Sequence, residues 1–283
     1  MSIIKELQYK MLRSGSRLYL FIGINVLIFL VLNLVAIPEF LFSKSNSISS
    51  WIQEQLSMPA YLPALAYKPW TIITYMFSHK GLFHIFFNML WLYWMGRIFE
   101  EYLNNRQFTF TYFAGGFAGA LLFILFYNIF PAFNDNLQFA LLIGASASVM
   151  AIVVATATLL PEYTIPLLLF GPVRLKYLAI VYVILDLIAI PGANAGGSIA
   201  HLGGAALGYI FIIQLRKGND WSKLFMRKPK LKPIPNKSPR PKSTSTRLPD
   251  QDAIDRILDK ISKSGYESLT KEEKQQLFNA SKK

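Results

Sequence analysis

The chain has 283 residues, of which 53% are hydrophobic and only 16% are charged. Because a soluble domain carries roughly a quarter charged residues, this composition excludes an ordinary soluble protein. The sequence contains no cysteine, which excludes disulfides, thiol nucleophiles and cysteine-based metal sites. The net charge of +13 is concentrated in a few segments and does not require a nucleic-acid partner.

The N-terminal segment, residues 1–17, is basic and precedes a long apolar run. That run is too long for the core of a cleavable signal peptide, and further apolar segments follow it along the chain. About 20 apolar residues cross the ~30 Å hydrocarbon core of a bilayer. We therefore predict six membrane spans, at residues 18–37, 83–99, 109–130, 139–160, 175–191 and 196–215.

The first connection, residues 43–82, is unusually long and rich in aromatic residues and proline. Trp51, Tyr61, Tyr67 and Trp70 all lie in it. Aromatic residues at this density favour a segment that lies in the headgroup layer of the membrane. A disordered hairpin is the alternative.

Lysine and arginine are distributed unevenly about the six spans. With a cytoplasmic N-terminus, the short inside segments hold eight basic residues and the outside segments hold three. Short loops rich in lysine and arginine remain on the cytoplasmic side. We therefore predict a multi-pass protein of the cell membrane with both termini in the cytoplasm.

Two segments follow the sixth span. Residues 216–249 hold eleven basic residues and one acidic residue in a proline-rich stretch, which is typical of a disordered linker that attracts anionic lipid heads. Residues 250–283 return to helical spacing, with Gly265 as a break and with Thr270 and Glu273 at the positions of a capping box. We predict a small helical hairpin in the cytosol for this segment.

Ionisable side chains within membrane spans are costly and mark functional sites. His84, Asp186 and His201 are such residues, and each falls within a few residues of the outer end of its span. At ~1.5 Å of rise per helical residue, Ser146 and Asn88 lie at a similar depth. This shared layer in the outer third of the membrane predicts one site that opens to the outer side.

Small residues predict close packing of spans four and six. His201, Gly204 and Gly208 share one face of span six, and span four offers small residues from Gly144 onwards at helical spacing. Small residues at such positions let two membrane helices approach closely. The approach would bring a serine of span four to His201.

These residues resemble the rhomboid intramembrane serine proteases, over about 200 residues that include all six spans. Three motifs of that family stand on the expected spans. They are Gly144-Ala145-Ser146 on span four, Ala200-His201 with Gly204 and Gly208 on span six, and His84 with Asn88 on span two.

The resemblance implies an all-α fold, in which residues 18–215 form a six-helix bundle in the membrane and a small helical tail lies in the cytosol. It implies an endopeptidase that cleaves transmembrane segments of other membrane proteins through an acyl-enzyme. Ser146 would be the nucleophile and His201 its base, without a metal or cofactor. His84, Asn88 and the backbone N–H of Ser146 would stabilise the oxyanion. Gly144 would admit the substrate backbone.

The sequence departs from the family at two positions near the serine. Ala147 replaces a glycine and is followed by Ser148, so that a second serine is a candidate nucleophile. Met150 stands where many members have a tyrosine that stacks on the histidine.

Two further residues and one further function remain open. Asp186 could orient His201 as a third member or bond a neighbouring helix, and His79 could belong to the site or face water from a loop. The alternative function is a non-catalytic rhomboid-like protein that binds and escorts membrane proteins, although such relatives have generally lost the serine or the histidine. An intramembrane aspartyl protease needs two aspartates within spans, and only Asp186 is present.

Overall fold

The computed structural model describes residues 3–44, 47–167, 171–224 and 251–281. The chain divides into two units, Met1–Met226 and Arg227–Lys283. The helices of the N-terminal unit are α1 (Ile3–Gln8), α2 (Arg17–Ser43), α3 (Ser47–Leu56), α4 (Leu62–Tyr67), α5 (Thr71–Thr74), α6 (Leu82–Tyr102), α7 (Asn105–Ile129), α8 (Ser146–Leu159), α9 (Leu175–Ala189) and α10 (Ala195–Arg216). Its strands are β1 (Met58–Pro59), β2 (Leu141–Leu142), β3 (Thr164–Leu167) and β4 (Gly171–Arg174).

Each predicted span contains a helix, and the predicted all-α polytopic fold is confirmed. Within the described residues, three helices are long and apolar enough to cross a membrane, namely α2, α7 and α10. Helices α8 and α9 are also apolar but shorter, at 14 and 15 residues. The count of six spans therefore stays a prediction.

Helix α8 begins later than the predicted span 139–160. Before this helix, Leu141 and Leu142 form strand β2, which pairs antiparallel with β1 so that Met58 is opposite Leu142. Gly144 then turns the chain with a positive φ of 122°. Periodicity alone cannot separate a short apolar strand from a buried helix, which is why the first part of this span was wrongly predicted as helix.

The centre of the N-terminal unit is α8, which is buried from Ala147 to Ala157. The predicted close packing with α10 is present: a Cβ atom on Gly204 would overlap the carbonyl oxygen of Ala147, and one on Gly208 would overlap that of Ala151. The two helices therefore touch backbone to backbone. Helix α9 lies further out and exposes large apolar side chains, as expected of a surface that faces lipid.

The long connection between α2 and α6 is folded. Trp70 donates its indole N–H to the carbonyl oxygen of Gln55 at 2.8 Å, and Asn128 of α7 donates to the carbonyl oxygen of Ala60 at 2.9 Å. The alternative of a disordered hairpin is therefore wrong. The location of this connection in the headgroup layer stays a prediction.

The segment after α10 is folded as far as Leu224. A short 3₁₀ turn at Trp221–Lys223 follows, and Asp220 forms an ion pair of 3.0 Å with Arg106 of α7. The prediction of disorder from residue 216 is wrong for these residues. Arg106 donates to Ser222 Oγ, and the carboxylate of Asp220 caps the turn by accepting the N–H of Ser222. The rest of the predicted linker, residues 225–249, lies outside the described residues.

The C-terminal unit contains α11 (Gln251–Ser264) and α12 (Lys271–Ser281). Gly265 ends α11 with a φ of 77°. The predicted capping box is formed, since the Thr270 N–H donates to Glu273 Oε2 at 2.8 Å and the Glu273 N–H donates to Thr270 Oγ1 at 3.3 Å. Lys260 of α11 also binds Glu273 at 3.0 Å, which joins the two helices.

Candidate active site

One cavity collects the polar residues that the sequence singled out. Its volume is about 1240 Å³, and it lies where α6, α8 and α10 begin and where α9 ends. Four of the predicted site residues line it, namely Ser146, His201, His84 and Asn88. The structure thus brings together side chains that are far apart in the sequence, since His84 and His201 are separated by 117 positions.

Ser146 is the first residue of α8. The first N–H groups of a helix have no partner within it, so the backbone donors of this turn are available to another acceptor. The preceding turn is held by the Gly144 N–H, which donates to the carbonyl oxygen of Tyr75 at 2.9 Å. Tyr75 is in turn fixed by its hydroxyl, which donates to the carbonyl oxygen of Gly116 in α7 at 2.6 Å.

The second serine of the motif faces elsewhere. Ser148 is fully buried, and its Oγ lies 2.8 Å from the place that a Cβ atom on Gly116 would take. It therefore packs against α7, whereas Ser146 borders the cavity. Met150, one turn below Ser146, is also buried at the cavity wall.

His201 lies in the second turn of α10 and is paired with Asp186. The Nδ1 atom of His201 is 2.9 Å from Oδ1 of Asp186, close to the end of α9. No hydrogen bond joins Ser146 to His201 in the part of the chain that the structure describes. Catalytic hydrogen bonds often tighten only when substrate is in place, so their shared cavity is the relevant relationship.

His84 and Asn88 stand on successive turns at the start of α6. The amide of Asn88 donates one N–H to the carbonyl oxygen of His84 at 2.8 Å, and its second N–H remains for another acceptor. The His84 ring lies over Gly144, with Nε2 2.7 Å from the position of an added Cβ. Both side chains therefore border the space beside Ser146.

His79 belongs to this region, contrary to the possibility that it faces water from a loop. It is only 2% exposed, and its ring lies 5.0 Å from that of His84, edge to face. Its Nε2 accepts the N–H of Ala145 at 3.4 Å. Burial, with a further contribution from His84, lowers the pKa of the His79 imidazole to about 3. A neutral ring suits this accepting role.

The chemistry available in the cavity is that of a hydroxyl, an imidazole and hydrogen-bond donors. Among the described residues, no group of three or more histidine, aspartate or glutamate side chains could hold a metal ion.

The fold and the cavity define a polytopic helical membrane protein that has a serine and a histidine on two touching helices. Sequence comparison identifies the family to which it belongs. The Rhomboid domain model matches residues 66–218, which is more than half of the chain, and the chain belongs to the rhomboid family. A second model, a family of unknown function (DUF6576), matches residues 242–283.

Individual relatives come from Arabidopsis thaliana. The chain is 32% identical to RHOMBOID-like protein 12, mitochondrial, over 52% of its own length and 47% of that protein. It is 27% identical to RHOMBOID-like protein 1, over 54% of its length and 37% of the relative. It is 34% identical to Inactive RHOMBOID-like protein 8, over 29% and 23%. The chain spans less than half the length of each of these relatives.

Proposed function

We propose that the chain is an intramembrane serine endopeptidase that cleaves transmembrane segments of other membrane proteins. One observation carries this proposal: Ser146 and His201 stand on two helices in backbone contact and border the same cavity. Family membership supports a membrane protein with membrane-protein substrates and lipids as partners. Beyond family membership, we propose that this chain itself cleaves a peptide bond.

In the first half of the reaction, His201 takes the hydroxyl proton of Ser146 while Ser146 Oγ attacks the carbonyl carbon of the scissile peptide. The carbonyl oxygen becomes an oxyanion. When the tetrahedral intermediate collapses, the C–N bond breaks and His201 gives its proton to the leaving amine. The new amino terminus departs and the acyl group stays on Ser146.

In the second half, His201 takes a proton from a water molecule that attacks the acyl carbon. The ester bond to Ser146 breaks, and the proton returns from His201 to Oγ. The product leaves as a carboxylic acid, which then loses its proton to water. Water has to reach this depth, which suits a large cavity at the end of the bundle.

Donors around the serine would stabilise the oxyanion. The second N–H of Asn88, the imidazole of His84 and the backbone N–H of Ser146 border the same space. Preorganised donors of this kind act most strongly where water is excluded. A side chain on Gly144 would begin 2.7 Å from His84 Nε2 and 3.6 Å from Ser146 Oγ, so glycine keeps this side of the serine open for a substrate backbone.

The second candidate function is a non-catalytic rhomboid-like protein that binds and escorts membrane proteins. It is favoured by the resemblance to a relative whose name describes it as inactive. The retention of Ser146, His201, His84 and Asn88 in one cavity argues for the protease.

The test is cleavage of a single-span model substrate by purified protein in detergent. We expect Ser146→Ala to abolish cleavage and Ser148→Ala, its matched control, to retain measurable activity. A fully active Ser146→Ala variant contradicts the assignment. If Ser148→Ala alone is inactive, the nucleophile is Ser148. An unaltered protein that binds substrates without cleaving any favours the escort function.

The proposed setting is the cell membrane, with both termini in the cytoplasm and the cavity open to the outer side. The lysine and arginine asymmetry supports this orientation. Residues 18–215 would then be the protease domain and residues 250–283 a separate cytosolic hairpin. The mitochondrial location in the name of one relative belongs to that protein.

A further inference from the structure

Asp186 is buried near the end of α9, and His201 is its partner. Its Oδ1 atom is 2.9 Å from Nδ1 of His201, and only 7% of the residue is exposed. Its other oxygen has no hydrogen-bond partner among the described residues. A carboxyl group is costly to bury unless it is paired, and His201 supplies that pairing.

The partner determines where the histidine proton lies. An ionised carboxylate only accepts hydrogen bonds, so a bond to Asp186 requires the proton on Nδ1 of His201. A neutral imidazole carries a single proton, which leaves Nε2 as an acceptor. Nε2 is then the nitrogen that remains to take the hydroxyl proton of Ser146.

We propose that Asp186 is a positioning residue for His201. It holds the imidazole in the Nδ1-protonated tautomer, and it stabilises the imidazolium that forms when Ser146 gives up its proton. The inference rests on the proposed function, in which His201 is the base, and extends the serine–histidine pair by a third member. Asp186 acts through His201 and does not take the proton itself.

Other titratable groups line the same cavity as His201, but they form no hydrogen bond with its Nδ1 atom. Helix α8 contributes none, since its sequence contains no ionisable residue. The remaining elements each contribute one at the cavity wall: Lys80 before α6, His84 on α6, Tyr127 on α7 and Tyr182 on α9. Asp186 is the acidic group among the described residues that reaches His201.

The tautomer can be measured without any protease assay. The chain has three histidines, so heteronuclear NMR of nitrogen-labelled histidine gives three imidazole systems, and His201→Gln identifies the one of interest. In the unaltered protein we expect Nδ1 of His201 to be protonated and Nε2 unprotonated. In Asp186→Ala we expect the His201 signals to move towards the other tautomer while His79 and His84 keep theirs. An unchanged His201 tautomer overturns the inference, whether or not the chain is a protease.

Turnover provides the second readout. We expect Asp186→Ala to lower kcat by about 10- to 1000-fold with KM within about twofold, and Asp186→Glu to recover part of the loss. Asp135→Asn, which changes an exposed aspartate of the turn Pro131–Asn136, is the matched control and should leave turnover unchanged. A changed tautomer with an unchanged kcat overturns the positioning role. A changed tautomer in a chain that cleaves nothing supports the Asp186–His201 relationship and refutes the proposed function.

Discussion

The Nε2 atom of His84 lies 2.7 Å from the point where a side chain on Gly144 would begin. Gly144 also has a φ of 122°, a conformation that side-chain-bearing residues rarely adopt. Two independent constraints therefore require glycine two residues before Ser146. The backbone turns there to start α8, and the imidazole ring closes over the turn.

Replacement of Gly144 by alanine should damage both stability and activity. The backbone strain amounts to about 1–3 kcal/mol, and His84 has to move to make room. We expect a lower thermal midpoint in detergent and loss of cleavage. Gly81→Ala is the matched control, because an added Cβ at Gly81 meets nothing within 4 Å. A Gly144→Ala protein with normal stability and turnover would contradict this account of the turn.

Asn88→Ala should lower turnover without unfolding the bundle. Loss of one oxyanion donor costs roughly 3–4 kcal/mol at most in the activation barrier, and less if the other donors compensate. Asn33→Ala is the matched control, since Asn33 makes the same 2.8 Å bond to the carbonyl oxygen four residues earlier, on exposed α2. Both variants lose that local bond, but only Asn88 borders the cavity. Equal turnover in the two variants, with lower stability for Asn88→Ala, would make Asn88 a packing residue.

Truncation after Leu224 should leave cleavage in detergent near normal. The removed part includes the basic segment and the hairpin of α11 and α12, which we expect to act on anionic lipid or a partner. Truncation after Lys217 is the contrasting variant, because it also removes Asp220 and with it the 3.0 Å ion pair to Arg106. We expect the shorter protein to be the less stable one. If the Leu224 truncation folds but cleaves nothing in detergent or in anionic liposomes, the tail takes part in the active state.

Cysteine labelling can test the orientation, because the chain has no cysteine of its own. We expect Asn134→Cys, in the turn between α7 and β2, to react with an impermeant thiol reagent added outside intact cells. Pro235→Cys should react only after the membrane is permeabilised. The opposite pattern would place the cavity on the cytoplasmic side.

Most helices could be predicted from the sequence because an apolar run of about 20 residues rarely forms anything but a membrane-spanning helix. The grouping of Ser146, His201, His84 and Asn88 around one cavity could be predicted because all four residues lie near the same end of their predicted spans. Residue count along a helix gives this depth for His84, Asn88 and His201, whereas Ser146 is the first residue of α8 because the residues before it form a strand and a turn. The glycines of α10 then specified which helices touch.

Other features depended on contacts that periodicity does not encode. The start of α8 was misplaced because residues 139–145 are apolar whether they form a strand or a helix. His79 looked like a loop residue, and only the fold buries it beside His84 and Ala145. The Asp186–His201 contact joins two helices, so the sequence could only suggest it.

The most direct test of the central claim is reaction of the purified protein with a fluorophosphonate, followed by mass spectrometry of the labelled peptide. A fluorophosphonate reacts with a serine whose hydroxyl is activated by a base, and it requires no knowledge of the substrate. We predict a single adduct on Ser146, absent from His201→Ala and retained in Ser148→Ala. A folded protein in which Ser146 is never labelled, or in which labelling persists without His201, would contradict the account.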